Sequence, residues 1–220
     1  MGIMKKDDAP GLFAAFADRP LADRLRPTAL EEIMGQDHLL GEGGPLRLMA
    51  DSGKMTSFIL WGPPGCGKTT LARILATRTS MHFTALSAVF SGMADLRKAF
   101  DEAARRREYG QGTLLFVDEI HRMPIAVEEI LYPALEDYKL DLLIGQGPAA
   151  RTVKIDLEPF TLVGATTRIG LLSSPLRDRF GIISRLEFYT PEELSRVVMR
   201  SARILGVPIT EGGALEIGRR

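Results

Sequence analysis

The chain contains 220 residues, of which 45% are hydrophobic and 25% charged, and its 28 basic residues are balanced by 28 acidic ones. This composition is typical of a folded globular protein and excludes a disordered or fibrous chain, and the balanced charge excludes a broadly basic surface for nucleic acid or an anionic membrane. One cysteine cannot form an intrachain disulfide and no apolar run approaches the ~18 residues of a membrane span, so we predict a cytoplasmic protein without membrane contact.

The first segment, residues 1–27, is irregular and interrupted by three prolines, and we expect it to form an N-terminal arm. A capping-box pattern at Thr28–Glu31 then predicts a short helix that Gly35 ends. Residues 45–52 predict another helix, which opens with a proline and closes before a glycine.

From residue 58 onward, apolar strands alternate with amphipathic helices. Continuous apolar runs that are each separated by a helix are typical of a parallel sheet with helices on both faces. We therefore predict an α/β core over residues 28–189, with strands at residues 58–61, 82–86, 113–118 and 161–166. The helices between the strands are expected to end near Thr79, to span residues 94–108 and to begin at Pro124.

Two segments depart from this alternation. Residues 138–158 show alternating apolar residues on both sides of a Gly-Gln-Gly-Pro turn, which predicts a β-hairpin inserted into the core. A second capping box, at Thr190–Glu193, predicts a helix that runs to Leu205. We interpret residues 190–220 as the start of a helical lid that the end of the chain truncates.

Residues 62–69 read Gly-Pro-Pro-Gly-Cys-Gly-Lys-Thr and fit the pattern G-x-x-x-x-G-K-[ST]. The run lies directly after a predicted strand and directly before a predicted helix, which is the context that this motif requires. In such a loop backbone N–H groups surround phosphate oxygens, while Lys68 would reach the β and γ phosphates and Thr69 would hold Mg²⁺. The sequence therefore predicts a site for a nucleoside triphosphate with Mg²⁺.

Acidic residues end the predicted strand at residues 113–118. We expect this strand to neighbour the strand before the glycine-rich loop, which would place Asp118 and Glu119 beside the phosphates. Asp118 would then join the Mg²⁺ shell, and Glu119 would orient or deprotonate the attacking water. His121 follows the pair but has no second ligand at metal spacing, so we expect no zinc site.

Later polar residues favour a motor ATPase over a small-molecule kinase. The strand at residues 161–166 ends in Thr166 and is followed by Thr167, where a hydroxyl could contact the γ-phosphate or the lytic water. The next predicted helix carries Arg177 and Arg179, either of which could stabilise transition-state charge across a subunit interface or simply pair with a local acid.

With these motifs the chain resembles the AAA+ ATPases. Residues from about 123 onward, including LYPALEDYKLDLLIGQGP and PFTLVGATTRIGLLSSPLRDRFG, resemble the RuvB family of Holliday-junction branch-migration motors. Residues 1–122, including PLADRLRP and FILWGPPGCGKTTLARILA, resemble the RarA family of replication-associated recombination ATPases. The change falls at DEIHR, residues 118–122, where the two families read alike, so we expect a natural hybrid or a constructed chimera.

The resemblance implies a role for each matching residue. It implies catalytic roles for Lys68, Asp118 and Glu119, for Thr166 as the sensor and for Arg179 as the arginine finger, with Thr69 and Asp118 as Mg²⁺ ligands. The nucleotide-binding residues that it implies are Leu25, Arg26, Gly62, Gly65, Cys66, Gly67, Lys68, Thr69, Thr70, Glu136, Asp137, Tyr138 and Tyr189.

The hairpin carries a further implication. In the RuvB family it docks on RuvA, the partner that recognises the junction. Leu142, Leu143 and Ile144 beside a Gly-Pro tip would leave an exposed apolar patch unless a partner covers it or the hairpin folds back on its own domain. The resemblance therefore implies a RuvA-like partner, ring formation and a mainly indirect contact with four-way junction DNA.

Three functions follow as hypotheses. The first is Mg²⁺-dependent ATP hydrolysis by the core of a branch-migration motor in recombination and repair, weak in a chain that ends within the lid. The second is a clamp-loader-type ATPase that acts at stalled replication forks, and the third is a nucleotide-gated binding module with little turnover.

Overall fold

The computed structural model describes residues 20–144 and 151–220. The strands of this part of the chain are β1 Phe58–Trp61, β2 His82–Ser87, β3 Thr113–Asp118, β4 Lys139–Ile144, β5 Arg151–Asp156, β6 Thr161–Thr166 and β7 Ile182–Arg185. Its α-helices are α1 Leu21–Arg24, α2 Asp37–Leu40, α3 Pro45–Ser52, α4 Lys68–Arg78, α5 Met93–Glu108, α6 Ile125–Glu136, α7 Ser174–Arg177, α8 Pro191–Leu205 and α9 Glu211–Gly218. Short 3₁₀ helices occupy Leu30–Glu32, Ile120–Arg122 and Ile169–Leu171.

Five strands form one parallel sheet in the order β2-β3-β6-β1-β7. The predicted parallel sheet is therefore confirmed. The prediction that the strands ending at Trp61 and Asp118 are neighbours is wrong, because β6 lies between them. As a consequence, the polar residues that follow β6 lie between the glycine-rich loop and the acidic pair.

The edge strand β7 was not predicted from the sequence. It has only four residues, and Ile183 and Arg185 are exposed while Ser184 is buried. A strand this short, at the edge of a sheet and half exposed, lacks the continuous apolar run that marks the central strands.

Helices cover both faces of the sheet, as predicted, because side chains alternate along each strand. Phe58, Leu60 and Phe116 point to one face, where they pack with α3 and α4. Ile59 and Leu115 point to the other face, where they pack with α5 and α6. These two apolar layers hold the central strands at or near complete burial.

The predicted hairpin over residues 138–158 is confirmed in the backbone. β4 and β5 pair antiparallel, from Lys139 opposite Asp156 to Ile144 opposite Arg151. Residues 145–150 lie outside the described residues, as do the side chains of Leu142, Leu143 and Ile144.

The predicted capping box at Thr28–Glu31 is wrong by one residue. The 3₁₀ helix has Ala29 as its N-cap, so the carboxylate of Glu32, not that of Glu31, accepts the N–H groups of Thr28 at 2.6 Å and of Ala29 at 3.4 Å. Glu31 instead lies 3.5 Å from the guanidinium of Arg78 on α4.

The two C-terminal helices form the predicted helical unit. Thr190 caps α8, since its hydroxyl accepts the N–H of Glu193 at 3.2 Å and the carboxylate of Glu193 accepts the N–H of Thr190 at 2.8 Å. Arg200 on α8 ties this unit to the core, with one guanidinium nitrogen 3.0 Å from Glu32 and another donating to the carbonyl of Leu25 at 2.8 Å. No helix in the described residues combines the length and apolar character needed to cross a bilayer.

This contact between helix and core should make stability depend on pH. The N–H of Thr28 and the guanidinium of Arg200 lower the pKa of Glu32 from its ordinary 4.5 to about 2. Because the folded-state pKa is the lower one, Glu32 stabilises the fold fully above pH 4.5 and loses this effect as the pH falls towards 2.

We expect Glu32→Gln to lower the thermal midpoint at pH 7 by about 2–4 °C, the shift that corresponds to ~1 kcal/mol for a partly exposed ion pair in a chain of this size. Calorimetry of the variant and the parent from pH 7 down to pH 2.5 checks this. The exposed Glu42→Gln is the matched control. If the thermal midpoints of Glu32→Gln and the parent differ as much at pH 2.5 as at pH 7, the pH-dependent contribution assigned to Glu32 is contradicted.

Candidate functional site

The loop between β1 and α4 forms one wall of the candidate site. Gly65 and Gly67 have φ values of +79° and +94°, left-handed conformations that glycine adopts without steric cost. A glycine-rich turn at a helix N-terminus presents backbone N–H groups to an anion. The ammonium of Lys68, 8% exposed, donates to the carbonyl oxygens of Gly62 at 2.9 Å and Pro63 at 2.8 Å.

Packing against the segment after β7 fixes the shape of this loop. A Cβ on Gly62 would lie 2.4 Å from the carbonyl oxygen of Leu186, so only glycine fits there. The hydroxyl of Tyr189 donates to the carbonyl of Cys66 at 3.3 Å and would lie 3.2 Å from a Cβ on Gly67. Burial raises the pKa of Tyr189, which favours the protonated hydroxyl that donates to the loop.

The acidic pair at the end of β3 forms the opposite wall. The carboxylate of Asp118 accepts the N–H of Glu119 at 3.1 Å, and Glu119 itself has φ +50°, a strained value for a residue other than glycine. The hydroxyl of Thr167 donates to Glu119 Oε2 at 3.3 Å. Both carboxylates therefore lie at the carboxyl edge of the sheet, and Glu119 is held there by a residue that follows β6.

A histidine whose side chain is only 7% exposed links the last residue of β6 to the acidic pair. His121 Nδ1 lies 2.8 Å from Thr166 Oγ1 and 3.4 Å from Glu119 Oε2. Thr166 is fully buried, and its hydroxyl also accepts the N–H of Arg168 at 2.9 Å. Thr167, and not the predicted sensor Thr166, is therefore the threonine whose side chain reaches the site.

These walls enclose a cavity of about 740 Å³. Its polar end consists of the loop residues, Asp118, Glu119 and Thr167, and its other end is largely apolar. The predicted residues that line it are Leu25, Arg26, Gly65, Cys66, Gly67, Lys68, Thr69, Thr70, Asp118, Glu119 and Tyr189. Lining residues that the sequence motifs did not indicate include Ile33, Met34, Gln36, Leu194, Val197 and Ser201.

The donor set of the cavity fits a nucleoside triphosphate with Mg²⁺. A backbone cradle and a lysine suit phosphates, while the apolar end suits a base. In the described residues no group of three or more His, Cys, Asp or Glu side chains could hold a metal ion. Mg²⁺ beside Thr69 and Asp118 would therefore take most of its ligands from phosphate and water, as Mg²⁺ commonly does.

Several predicted site residues lie outside this cavity. Of the described residues, Gly62 shapes the loop without lining the cavity, and Glu136, Asp137, Tyr138 and Arg179 do not line it either. Arg179 instead lies 2.9 Å from the carboxylate of Glu136. If these residues contact a nucleotide, it is therefore not the one in the cavity of their own chain.

Comparison with known proteins identifies what this chain resembles. Residues 25–186 match the model of the Holliday junction DNA helicase RuvB P-loop domain, and residues 189–220 match that of the RuvB AAA lid domain. The chain is 60% identical over 201 residues to the Holliday junction branch migration complex subunit RuvB of Lawsonia intracellularis, and 59% identical over 203 residues to that of Oleidesulfovibrio alaskensis. Both alignments cover 90% of this chain but only 57% and 61% of the two relatives, so the chain spans less than two thirds of their length.

A solved structure agrees with these relatives. The structure titled Thermotoga maritima RuvB Holliday junction branch migration motor matches with a TM-score of 0.74 and 40% identity, over 90% of this chain and 60% of that one. The P-loop domain model also runs across residues 118–122, so the similarity to RuvB begins well before residue 123. The resemblance of residues 1–122 to RarA and a hybrid origin of the chain stay predictions.

The close contact at Gly62 gives a test of the loop geometry. We expect Gly62→Ala to destabilise the protein by about 2 kcal/mol or more, because the new Cβ meets a backbone oxygen that cannot move without displacing the segment after β7. Gly92→Ala is the matched control, since a Cβ there meets nothing within 4 Å. Urea denaturation of both variants measures the difference. Equal stability of the two variants would show that the loop does not pack on Leu186 in this way.

Proposed function

The chain belongs to the RuvB family, and on this basis we propose that it is the ATP-hydrolysing core of a Holliday-junction branch-migration motor. Its fold is the AAA+ P-loop core followed by helices of the lid. One observation carries the proposal of hydrolysis: a single cavity collects the glycine-rich loop, Asp118, Glu119 and Thr167. Loop and carboxylates together are what in-line phosphoryl transfer to water needs.

In this proposal the two ends of the cavity bind the two ends of ATP. The loop from Gly65 to Thr70 binds the phosphates at the N-terminus of α4. Leu25, Ile33 and Val197 line the apolar end, where the base binds. Arg26, whose guanidinium donates to the hydroxyl of Thr70 at 3.1 Å, connects the two ends.

Mg²⁺ held by Thr69 and Asp118 would neutralise charge on the phosphates. Glu119 orients the attacking water and accepts its proton. Thr167 contacts Glu119, so we assign it the sensor role that the sequence suggested for Thr166. Thr166 and His121 then fix the turn from which Glu119 projects.

Arg179 acts on a neighbouring subunit in this proposal. It lies outside the cavity of its own chain, so its guanidinium can stabilise the transition state only at the site of another copy. This geometry supports self-association into a ring, in which each site is completed by the next subunit.

The hairpin is the proposed contact with RuvA. β4 and β5 form an insertion that belongs to no part of the parallel sheet. Val153, which pairs with Leu142, is 41% exposed, so the hairpin presents apolar surface. We propose that junction DNA is reached mainly through this partner.

Two substitutions test the roles of Lys68 in ATP binding and of Glu119 in turnover. We expect Lys68→Ala to weaken ATP binding and abolish turnover, because it removes the cation at the phosphates. Glu119→Gln should still bind ATP while turnover falls by about 100-fold or more, because it removes the base. Binding is followed by the fluorescence of Trp61, the only tryptophan, which directly precedes the loop, and turnover by phosphate release.

The exposed Lys54→Ala is the control for Lys68→Ala and should change neither measurement. Thr167→Val should behave like Glu119→Gln, with binding retained and turnover reduced. Full hydrolysis by Lys68→Ala or by Glu119→Gln would overturn the assignment of the site.

Calorimetric titration with RuvA tests the partner. We expect a dissociation constant of about 1 µM or tighter, lost when Leu143→Asp and Ile144→Asp are combined, because the two charges would have to be buried in an apolar contact. Leu48→Asp is the matched control, since Leu48 is 58% exposed on α3, outside the hairpin. If ATP binds but RuvA does not, and DNA ends stimulate hydrolysis, the fork-acting ATPase replaces the branch-migration motor as the proposed function.

A further inference from the structure

Three groups of its own chain hold the guanidinium of Arg179. One nitrogen lies 2.9 Å from the carboxylate of Glu136, and another donates to the carbonyl of Pro175. The central carbon lies 4.3 Å from the ring centroid of Tyr132, which is cation–π geometry. The side chain is only 21% exposed, so its position is set by these contacts.

Beneath this arginine lies a buried carboxylate that the proposed reaction does not use. Glu128 is 9% exposed, and none of the ion pairs among the described residues involves it. Its Oε1 accepts the hydroxyl of Tyr132 at 2.7 Å and also the hydroxyl of Ser173. Burying a carboxylate is costly, so a buried one with two hydroxyl donors has a specific arrangement to maintain.

Both donors to Glu128 lead directly to Arg179. Tyr132 supplies the ring on which the guanidinium stacks. Ser173 is the N-cap of α7, with its oxygen accepting the N–H of Leu176 at 3.3 Å, and α7 ends two residues before Arg179. One carboxylate thus orients both the surface beneath the guanidinium and the helix that leads to it. Burial and the contact with Glu128 raise the pKa of Tyr132, which favours the protonated hydroxyl that donates to Glu128.

We propose that two of the three glutamates of α6 set the position of Arg179 in opposite ways: Glu128 is a positioning residue that aims the guanidinium out of the subunit, and Glu136 holds the guanidinium until a phosphate of the neighbouring site replaces it. This inference rests on the proposed role of Arg179 in a neighbouring subunit. Glu136 is 54% exposed, and an ion pair with an exposed partner contributes little net stability. A phosphate group can therefore displace Glu136, whereas the buried contacts of Glu128 persist.

Shared active sites give the test, because the arginine and the nucleotide then come from different copies. One variant, Arg179→Ala, keeps the nucleotide site and lacks the arginine, and we call it the acceptor subunit. The other variant, Lys68→Ala, keeps the arginine and lacks a working nucleotide site, and we call it the donor subunit. Neither should hydrolyse ATP alone, and a mixture of the two should recover turnover. The assay is run at a protein concentration where the turnover of the parent per subunit no longer rises.

We expect Glu128→Gln in the donor to reduce the recovered turnover by about tenfold or more, since a small misplacement of a charge-stabilising group costs at least this much. The same change in the acceptor should alter it by less than about twofold, because the arginine of that copy is already absent. The exposed neighbour Glu129→Gln removes the same charge from the same helix and should have no effect in either copy. Glu136→Gln in the donor should raise the recovered turnover, because it removes the carboxylate that the phosphate has to displace.

Equal losses of recovered turnover with Glu128→Gln in the donor and in the acceptor would show that Glu128 only stabilises the fold and would overturn the inference. The inference would also be overturned if Glu136→Gln in the donor left the recovered turnover unchanged or lowered it. If Glu128→Gln does not fold, Tyr132→Phe replaces it, because that change removes only the hydroxyl that Glu128 accepts. Unreduced turnover with Tyr132→Phe in the donor would equally overturn the role of Glu128. If the mixture of Arg179→Ala and Lys68→Ala, without any further substitution, recovers no turnover, the role of Arg179 itself is refuted, and with it the function proposed for this residue.

Discussion

The parallel direction of the five central strands is the constraint on which the site depends. Parallel strands have their carboxyl ends on the same side of the sheet, so residues that are far apart in the chain lie side by side there. β1 delivers the glycine-rich loop, β3 delivers Asp118 and Glu119, and β6 delivers Thr167 between them. Two largely buried apolar layers hold these strands in place. Tyr189 then fixes the loop, and Thr167 and His121 fix Glu119, at the ends of the strands.

Local signals predicted most of this fold. The central strands and the glycine-rich loop follow from apolar runs and from a motif in which neighbouring residues contact one phosphate group. What the sequence did not reveal depends on contacts between distant segments: the place of β6 between β1 and β3, the edge strand β7, and the apolar end of the cavity. Thr166 and Thr167 are identical neighbours in the sequence, and the structure distinguishes them, because Thr166 is buried against His121 whereas Thr167 contacts Glu119 and lines the cavity.

The cavity also joins the core to the helices that follow it. Leu194 and Val197 of α8 line the cavity beside Glu32, which pairs with Arg200 of the same helix. Tyr189, directly before this helix, donates to the glycine-rich loop. A ligand bound in the cavity therefore contacts both units at once, and the position of α8 is coupled to what the loop binds.

A proline inside α6 interrupts the backbone hydrogen bonding of that helix. Pro133 has no N–H, so the helix lacks one backbone hydrogen bond just before its last turn. Glu128 lies before this break, and Glu136 lies after it. Ala134 is fully buried and Leu135 packs on the same apolar layer, so side-chain packing holds the last turn in place of the missing bond. One helix thus carries a buried carboxylate before the break and an exposed, ion-paired carboxylate after it.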